Sequence, residues 1–312
     1  MTRSAVLGAG HYLPPLLERG GVTRPIADPP PGTSELGAHA SRAALEAVGM
    51  GPEDVELIVF ATINPDVTFP GSACYLQHKL GCGTVGALDV RAQCAGFVCA
   101  LMVADQFIRN GQYKRILAVG AELHSVWVDY SAAGVDLARR FGDGAGAMIV
   151  GPAASASQVC AVVLHTDGSR HQRFWCEYPA SRQYPTRITK ENLRAGKHFP
   201  KMDVDDVRAF GVQKLPEVVR EAAAKAGVPV DAIDHLILSH VLPDVAEESA
   251  KRVGVSSDRL LSPSAVHGHL GGAALPVAFS EAVRAGRIEA GSTVCLAAAG
   301  AGYAWGAAIV RA

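Results

Sequence analysis

The sequence predicts an α/β protein made of two similar halves, each a buried sheet covered by helices. Three observations predict it: helical segments alternate with apolar strands, helix–strand units recur in both halves, and the composition supplies a large core. Of the 312 residues, 49% are hydrophobic and 19% are charged. That length allows two core-bearing halves or one large domain, and the alternation of helices with buried strands favours a layered architecture.

The first repeated unit is a buried strand that ends at a proline turn. VELIVFATINPD (55–66) pairs without gaps with IDHLILSHVLPD (233–244). Each strand follows a helical segment that stops at a glycine, Gly49 in the first half and Gly227 in the second, and glycine is the usual residue at such a stop. The shared order predicts an internal duplication.

The second repeated unit is a helix of small residues followed by a strand. CAGFVCALMVADQFIRNGQYKRILAVGA (94–121) resembles HLGGAALPVAFSEAVRAGRIEAGSTVCLAAA (269–299). Matching the Arg-x-Gly sequences that begin at Arg109 and Arg284 places Cys94 opposite His269. Because the two repeats differ slightly in spacing, chance similarity of two helix–strand units is the alternative interpretation.

The boundary between the halves is predicted in the small-residue stretch GPAASAS (151–157). We therefore expect an N-terminal half over residues 1–154, which contains Cys94, and a C-terminal half over residues 155–312. Residues 165–201 contain many aromatic, proline and charged residues and show little periodicity. This segment is predicted to run over the surface and to roof a site.

Charge and composition exclude several classes of protein. The net charge is −1 and no block of like charge occurs, which argues against a nucleic-acid or membrane-surface protein. No run of about 18 apolar residues predicts a transmembrane helix, and the first residues do not form a signal peptide. The seven cysteines, none in a CxxC pair, predict no metal site and indicate a cytoplasmic protein with reduced thiols.

Cys94 is the candidate nucleophile. It is predicted to open a helix of about 16 residues, where the first backbone N–H groups and the helix dipole favour a thiolate. The small neighbours Ala95 and Gly96 leave room for a substrate. Cys99 lies five residues further on and is predicted to be a core residue, as most unreactive cysteines are.

Two histidines are the candidate partners of this cysteine, since an activated thiol needs an imidazole nearby. His240 follows a buried strand, where a side chain can project into a cleft. His269 lies in the glycine-rich VHGHLGGAA at the start of the second-half helix. We predict that both act with Cys94.

Five segments carry a resemblance to a known family: AQCAGF, FPGSACYLQHKLG, VADQFIRNG, FGDGAGAMIVG and AGAGYAWGAAIVRA. Over nearly the whole chain they resemble β-ketoacyl-[acyl carrier protein] synthase III of the thiolase superfamily. The resemblance implies a thiolase fold, which is a duplicated αβαβα layered sandwich, a homodimer and no tightly bound cofactor.

The resemblance also implies a reaction, used in fatty-acid or polyketide synthesis. Cys94 takes an acyl group from an acyl-CoA or acyl-carrier-protein thioester, and the group is joined to a carbanion from decarboxylating malonyl-carrier protein. The backbone N–H groups of Cys94 and Ala301 would form the oxyanion hole. Phe69 matches a position that reaches across the dimer into the partner's pocket, with core packing as the alternative.

The chain departs from the family at the histidine motif. The family set is Cys-His-Asn, with the histidine in His-Gln-Ala-Asn, where this chain has SHVLPD. Gap-free counting places Ser239 at the family histidine, and a one-residue shift places His240 there; we favour His240 because the chemistry requires an imidazole. His269 replaces the asparagine, and GHLGGAA resembles the Cys-His-His set of elongating ketosynthases.

A second departure is the short, proline-rich segment VTRPIADPPPGTS (22–34), which lacks the family's CoA-binding tryptophan. The primer would then arrive on a carrier protein, or a different acyl group would be used. Two other functions stay open. One is an acyltransferase that passes the acyl group from Cys94 to an alcohol, amine or thiol, with Asp244 orienting His240. The other is a non-condensing partner subunit of a heterodimeric synthase, because fold alone does not decide function.

Overall fold

The computed structural model describes residues 2–153 and 157–312. In chain order, the strands are β1 (Ser4–Tyr12), β2 (Leu16–Arg19), β3 (Val22–Pro25), β4 (Leu57–Ala61), β5 (Gly86–Val90), β6 (Ile116–Glu122), β7 (Gly144–Pro152), β8 (Gln158–Thr166), β9 (Phe174–Trp175), β10 (Lys201–Met202), β11 (His235–Ser239), β12 (Leu260–Leu261), β13 (Thr293–Gly300) and β14 (Ala304–Arg311). The helices are α1 (Thr33–Glu46), α2 (Ser72–Leu80), α3 (Gly96–Arg109), α4 (Val135–Ala138), α5 (Lys190–Arg194), α6 (Val204–Ala226), α7 (Pro243–Val253), α8 (Pro263–His267) and α9 (Ala274–Arg284).

Two five-stranded sheets have the same strand order. The first sheet is β1-β7-β6-β4-β5, and the second is β8-β14-β13-β11-β12 when read in the matching direction. Equivalent pairs run the same way: β4 is parallel to β6 as β11 is to β13, and β6 is antiparallel to β7 as β13 is to β14. The predicted duplication is therefore confirmed, and β4 and β11 are the strands of its first repeated unit.

Helices and sheets alternate in five layers. Helices α1 and α2 cover the outer face of the first sheet, and α6 and α7 cover the outer face of the second. Helices α3 and α9 lie between the sheets, where Leu101 of α3 and Phe279 of α9 share one core with Val59 and Leu296. Because each sheet is covered on both faces, its central strands are continuously apolar. The predicted αβαβα arrangement is confirmed.

The start of the cysteine helix differs from the prediction. The helix begins at Gly96, and Cys94 lies in a 3₁₀ turn, Gln93–Ala95, just before it. Gln93 has a φ of 50°, a left-handed conformation that is unfavourable for a residue with a side chain. This turn redirects the chain between β5 and α3. Cys99 is partly exposed, so the prediction that it is a core residue was wrong.

The predicted boundary between residues 154 and 155 lies outside the described residues. Strand β7 ends before it at Pro152, and β8 starts after it at Gln158. In the described part of the chain, no helix is long and apolar enough to cross a membrane.

Candidate active site

A cavity of about 740 Å³ opens beside Cys94, and His269 and Ala301 also line it. Residues from both repeated helix–strand units therefore meet at one place, as the internal repeat predicted. The surface segment predicted to roof a site does so. It contributes His171, Phe174, Trp175, Cys176, Tyr178, Pro179, Arg187 and Pro200 to the wall.

Cys94 and His269 are in direct contact. The Sγ atom of Cys94 lies 3.0 Å from Nε2 of His269, and the two residues are only 2% and 1% exposed. The backbone holds the histidine in place, because its N–H donates to the carbonyl of Arg140 at 2.6 Å. Its Nδ1 lies 3.4 Å from the hydroxyl of Ser264. The imidazole therefore faces the sulfur with its ring orientation set from behind.

The Cys94 thiol is expected to be protonated at neutral pH, contrary to the thiolate predicted for a helix start. Burial raises the pKa of Cys94 to about 12, with a smaller contribution from the nearby Glu122 carboxyl. The backbone N–H groups of Ala301 and of Cys94 itself act in the opposite direction but are outweighed. Burial also lowers the pKa of His269 well below its ordinary value. A neutral thiol thus meets a neutral imidazole, which can accept the S–H proton.

The loop after β13 approaches the sulfur closely. A Cβ atom built on Gly300 would lie 2.3 Å from Sγ of Cys94, so only glycine fits there. The N–H of the next residue, Ala301, is directed at the sulfur region, as is the N–H of Cys94. Two backbone donors therefore converge on the sulfur of Cys94, and alanine serves as well as glycine for a backbone donor.

Glu122 is a second buried ionisable group close to the cysteine. Its carboxylate accepts N–H groups of Ile63, at 3.0 Å, and of Gly272, at 3.1 Å. Burial nevertheless raises its pKa to about 8, so the carboxyl is mostly protonated at neutral pH. It follows that burial, rather than a negative charge on Glu122, is the main reason that Cys94 stays a thiol.

His240 does not line the cavity, although it lies near enough to His269 to contribute to the lowered pKa of that imidazole. Its Nδ1 accepts the N–H of Leu242 at 3.1 Å, and its Nε2 faces helix α6, where a Cβ built on Gly211 would be 2.6 Å away. Burial lowers the pKa of His240 to about 4. Ser239, the alternative at this position, is also absent from the cavity wall, and its buried hydroxyl has no partner among the described residues.

Two other predicted residues lie apart from Cys94. Asp244 is exposed and pairs with Arg208 rather than with His240. Phe69 is 83% exposed in the single chain, so it is not packed in the core of this chain. In the described residues, no group of three or more His, Cys, Asp or Glu side chains could hold a metal ion.

His124 is a cavity residue that the sequence analysis missed. It follows β6 in a 3₁₀ turn, His124–Val126, is fully buried, and lines the cavity with Cys94. Its ring centre lies 6.2 Å from that of His269. The signal was present in the sequence, because His124 follows the end of a buried strand just as His240 does, but AELHS had no repeat partner to single it out.

Comparisons with known proteins agree with this architecture. Residues 88–168 match the family profile of 3-oxoacyl-[acyl-carrier-protein] synthase III, and residues 223–312 match its C-terminal profile. The chain is 36% identical to the β-ketoacyl-[acyl-carrier-protein] synthase III of Thiobacillus denitrificans, over all of both chains.

Solved structures extend the similarity to the fold. The 3-oxoacyl-[acyl-carrier-protein] synthase III of Aquifex aeolicus superimposes with a TM-score of 0.88 at 27% identity, over 99% of this chain and 100% of that one. The priming β-ketosynthase of the R1128 polyketide pathway gives a TM-score of 0.88 at 26% identity, over 99% and 97%. The predicted thiolase fold is confirmed.

Proposed function

Because the chain belongs to the 3-oxoacyl-[acyl-carrier-protein] synthase III family, we propose that it catalyses a decarboxylative condensation. Cys94 accepts an acyl group from an acyl-CoA or acyl-carrier-protein thioester, and the acyl group is joined to malonyl-carrier protein. The observation that carries this proposal is the 3.0 Å contact between Sγ of Cys94 and Nε2 of His269. No tightly bound cofactor is needed for this chemistry.

In the acylation step, His269 acts as the general base. Its Nε2 accepts the proton of Cys94 as Sγ attacks the thioester carbonyl, since the thiol does not ionise on its own at neutral pH. The N–H groups of Cys94 and Ala301 stabilise the oxygen of the tetrahedral intermediate. The carbon–sulfur bond to the carrier then breaks, and the departing thiolate takes the proton from His269. The products are acyl-Cys94, a free carrier thiol and neutral His269.

In the condensation step, the malonyl thioester loses CO₂, and the electron pair of the broken bond forms an enolate. The enolate carbon attacks the acyl carbonyl on Cys94, the bond to Sγ breaks, and the cysteine thiolate takes a proton from solvent. His269 can donate to the enolate oxygen in its Nε2–H tautomer, because the hydroxyl of Ser264 beside Nδ1 can either donate or accept. The imidazole thus serves both steps.

We assign the imidazole role to His269 rather than to His240. His269 is within hydrogen-bond distance of the sulfur, whereas His240 is engaged by Leu242 and packs against α6. The acyltransferase alternative is not favoured, because Asp244 pairs with Arg208 instead of orienting His240. A non-condensing role is not favoured either, since the Cys94–His269 contact is intact.

We further propose a homodimer. Phe69 is an apolar side chain that is 83% exposed in a loop between β4 and α2, and a partner subunit would cover it. Sedimentation velocity is expected to show a dimer for the wild type and a larger monomer fraction for Phe69→Ser. A monomer for the wild type at micromolar concentration would contradict this assembly.

The experiment that tests the reaction uses mass spectrometry of the intact protein together with release of CO₂ from malonyl-carrier protein. The wild type is expected to gain one acyl group from a mixture of acyl-CoA thioesters, and Cys94→Ala is expected to gain none. Cys99→Ala is the matched control, because this cysteine is partly exposed on α3, the helix that follows Cys94. Equal labelling of wild type and Cys94→Ala would refute the proposal.

A further inference from the structure

His124 is held in one orientation in the wall of the cavity. Its ring stacks on Phe141, with ring centres 4.8 Å apart and planes 26° apart. Its Nδ1 lies 3.2 Å from the carbonyl oxygen of Gly142. Stacking on one side and a backbone contact at one ring nitrogen leave the ring little freedom to turn, so its second nitrogen has a defined position.

The tautomer of His124 follows from these contacts. A carbonyl oxygen can only accept a hydrogen bond, so the Nδ1 beside Gly142 carries the hydrogen. Burial lowers the pKa of His124 to about 4, so the ring is neutral at pH 7 and has a single N–H. The other nitrogen, Nε2, therefore presents a lone pair and is a hydrogen-bond acceptor.

This acceptor has no partner in the described part of the chain. Nε2 of His124 is buried and makes no hydrogen bond there, although buried polar atoms are nearly always paired. His124 is 0% exposed, and Cys94 and His269 are equally withdrawn from solvent. Access to Nε2 therefore requires side-chain movement, as access to the sulfur does, and a group that enters the cavity lined by both His124 and Cys94 is the natural partner for the lone pair.

The surroundings limit which donor fits. Phe141 and Trp127 lie next to His124, with the Trp127 ring centre 5.8 Å away. The buried indole N–H of Trp127 is also without a partner among the described residues, so this aromatic wall offers one neutral donor and no charge, and it disfavours a charged group. His269 offers no competing site in the resting state, because its two ring nitrogens face Cys94 and Ser264. A neutral hydroxyl satisfies the lone pair without placing a charge in the cavity.

We propose that His124 is a specificity-determining residue that accepts a hydrogen bond from a hydroxyl group on the acyl chain carried by Cys94. The inference rests on the proposed acylation of Cys94 and identifies its substrate class as hydroxyacyl thioesters. The ring centre of His124 lies 6.2 Å from that of His269, whose Nε2 contacts Sγ, so the two rings are close neighbours at the site. A 3-hydroxyacyl group, with its hydroxyl a few bonds from the thioester carbon, is therefore the member of this class that we test.

A competition experiment tests this inference. Equal amounts of butyryl-CoA and 3-hydroxybutyryl-CoA are mixed with the enzyme, and early acyl-enzyme adducts, which differ by one oxygen atom, are counted by mass spectrometry of the intact protein. The wild type is expected to favour the hydroxyacyl adduct about tenfold, the effect of one satisfied hydrogen bond. His124→Leu is expected to lose that preference, and His124→Gln, which keeps an acceptor oxygen, to retain part of it.

The control is His171→Leu, because His171 also lines the cavity and its Nδ1 also faces a carbonyl oxygen, but it is exposed. This variant is expected to keep the wild-type preference. No preference in the wild type, or an unchanged preference in both His124 variants, would overturn the inference. If His124 contacts the carrier arm of the thioester and not the acyl chain, His124→Leu would slow acylation by both thioesters equally. That result would also overturn the inference. No adduct from either thioester would refute the acylation of Cys94 itself, and the inference with it.

Discussion

Sγ of Cys94 and Nε2 of His269 are 3.0 Å apart, although 175 residues separate them in the sequence. They come from equivalent positions of the two halves, just before the central helices α3 and α9. Because burial raises the pKa of the thiol to about 12, we expect the sulfur to depend on the imidazole for its reactivity. In the proposed reaction the pair, rather than the cysteine alone, is the reactive unit.

Replacing the base is expected to slow acylation strongly. In His269→Ala the thiol has no proton acceptor within hydrogen-bond distance, and loss of a general base typically costs a factor of about 10² to 10⁴. The second-order rate constant for adduct formation, measured by intact-protein mass spectrometry, is expected to fall at least 100-fold. His267→Ala is the control, since this neighbour pairs with Glu281. A loss below tenfold in His269→Ala would show that another group removes the proton.

Replacing His240 is expected to affect stability and not catalysis. In His240→Leu the N–H of Leu242 loses its acceptor, and an unpaired buried donor costs about 1–3 kcal/mol. Urea unfolding is expected to show this decrease in the free energy of unfolding. The rate of CO₂ release from malonyl-carrier protein is expected to stay within about twofold of wild type, a change too small to indicate a catalytic role. A drop in CO₂ release as large as that of His269→Ala would instead place His240 in the reaction.

Adding a single methyl group beside the sulfur is expected to block the site. The Cβ of Gly300→Ala would lie 2.3 Å from Sγ of Cys94, and φ at this residue is extended, so contact and not backbone strain is the cause. Acylation is expected to fall at least 100-fold, since small displacements of reacting atoms have effects of about this size. Gly168→Ala is the matched control because open space surrounds its Cβ position. Normal acylation by a folded Gly300→Ala variant would contradict the described approach of this loop.

Glu122 is expected to make the folded state less stable as pH rises. Its pKa is about 8 in the folded protein, against 4.5 ordinarily, so between these values the native state holds a proton that the unfolded chain releases. Unfolding then becomes easier by up to about 1.4 kcal/mol for each pH unit. The effect is absent below pH 4.5 and complete above pH 8.

Glu122→Gln has no such proton, so the comparison isolates this group. The stability of the variant relative to wild type, from urea unfolding at several pH values, is expected to rise between pH 4.5 and pH 8 and to level off beyond it. Glu248→Gln, which changes a surface residue paired with Arg252, is the control and is expected to show no such rise. If the difference in unfolding free energy between Glu122→Gln and wild type does not change with pH, Glu122 is ionised at neutral pH.

Much of the fold and half of the site could be predicted from the sequence. The duplication was visible because helix, glycine stop and strand are local patterns, and each half needs the same pattern to build the same sheet. The repeat also predicted the meeting of Cys94 and His269, since equivalent residues of two stacked halves lie on opposite sides of the same central layer. The two copies of the helix–strand pattern in the sequence therefore form two copies of the same sheet and helix arrangement in the structure.

The remaining features were decided by the tertiary structure. The direction of the His240 side chain depends on the packing of β11 against α6, where Gly211 makes room for the ring, and no local pattern encodes that contact. The protonation of Cys94 depends on how much protein covers it, and burial outweighs the helix start that the sequence suggested. The acceptor nitrogen of His124 is defined by Gly142 and Phe141. Sequence patterns thus determined which elements form, whereas side-chain direction, desolvation and tautomer arise from contacts between residues far apart in the chain.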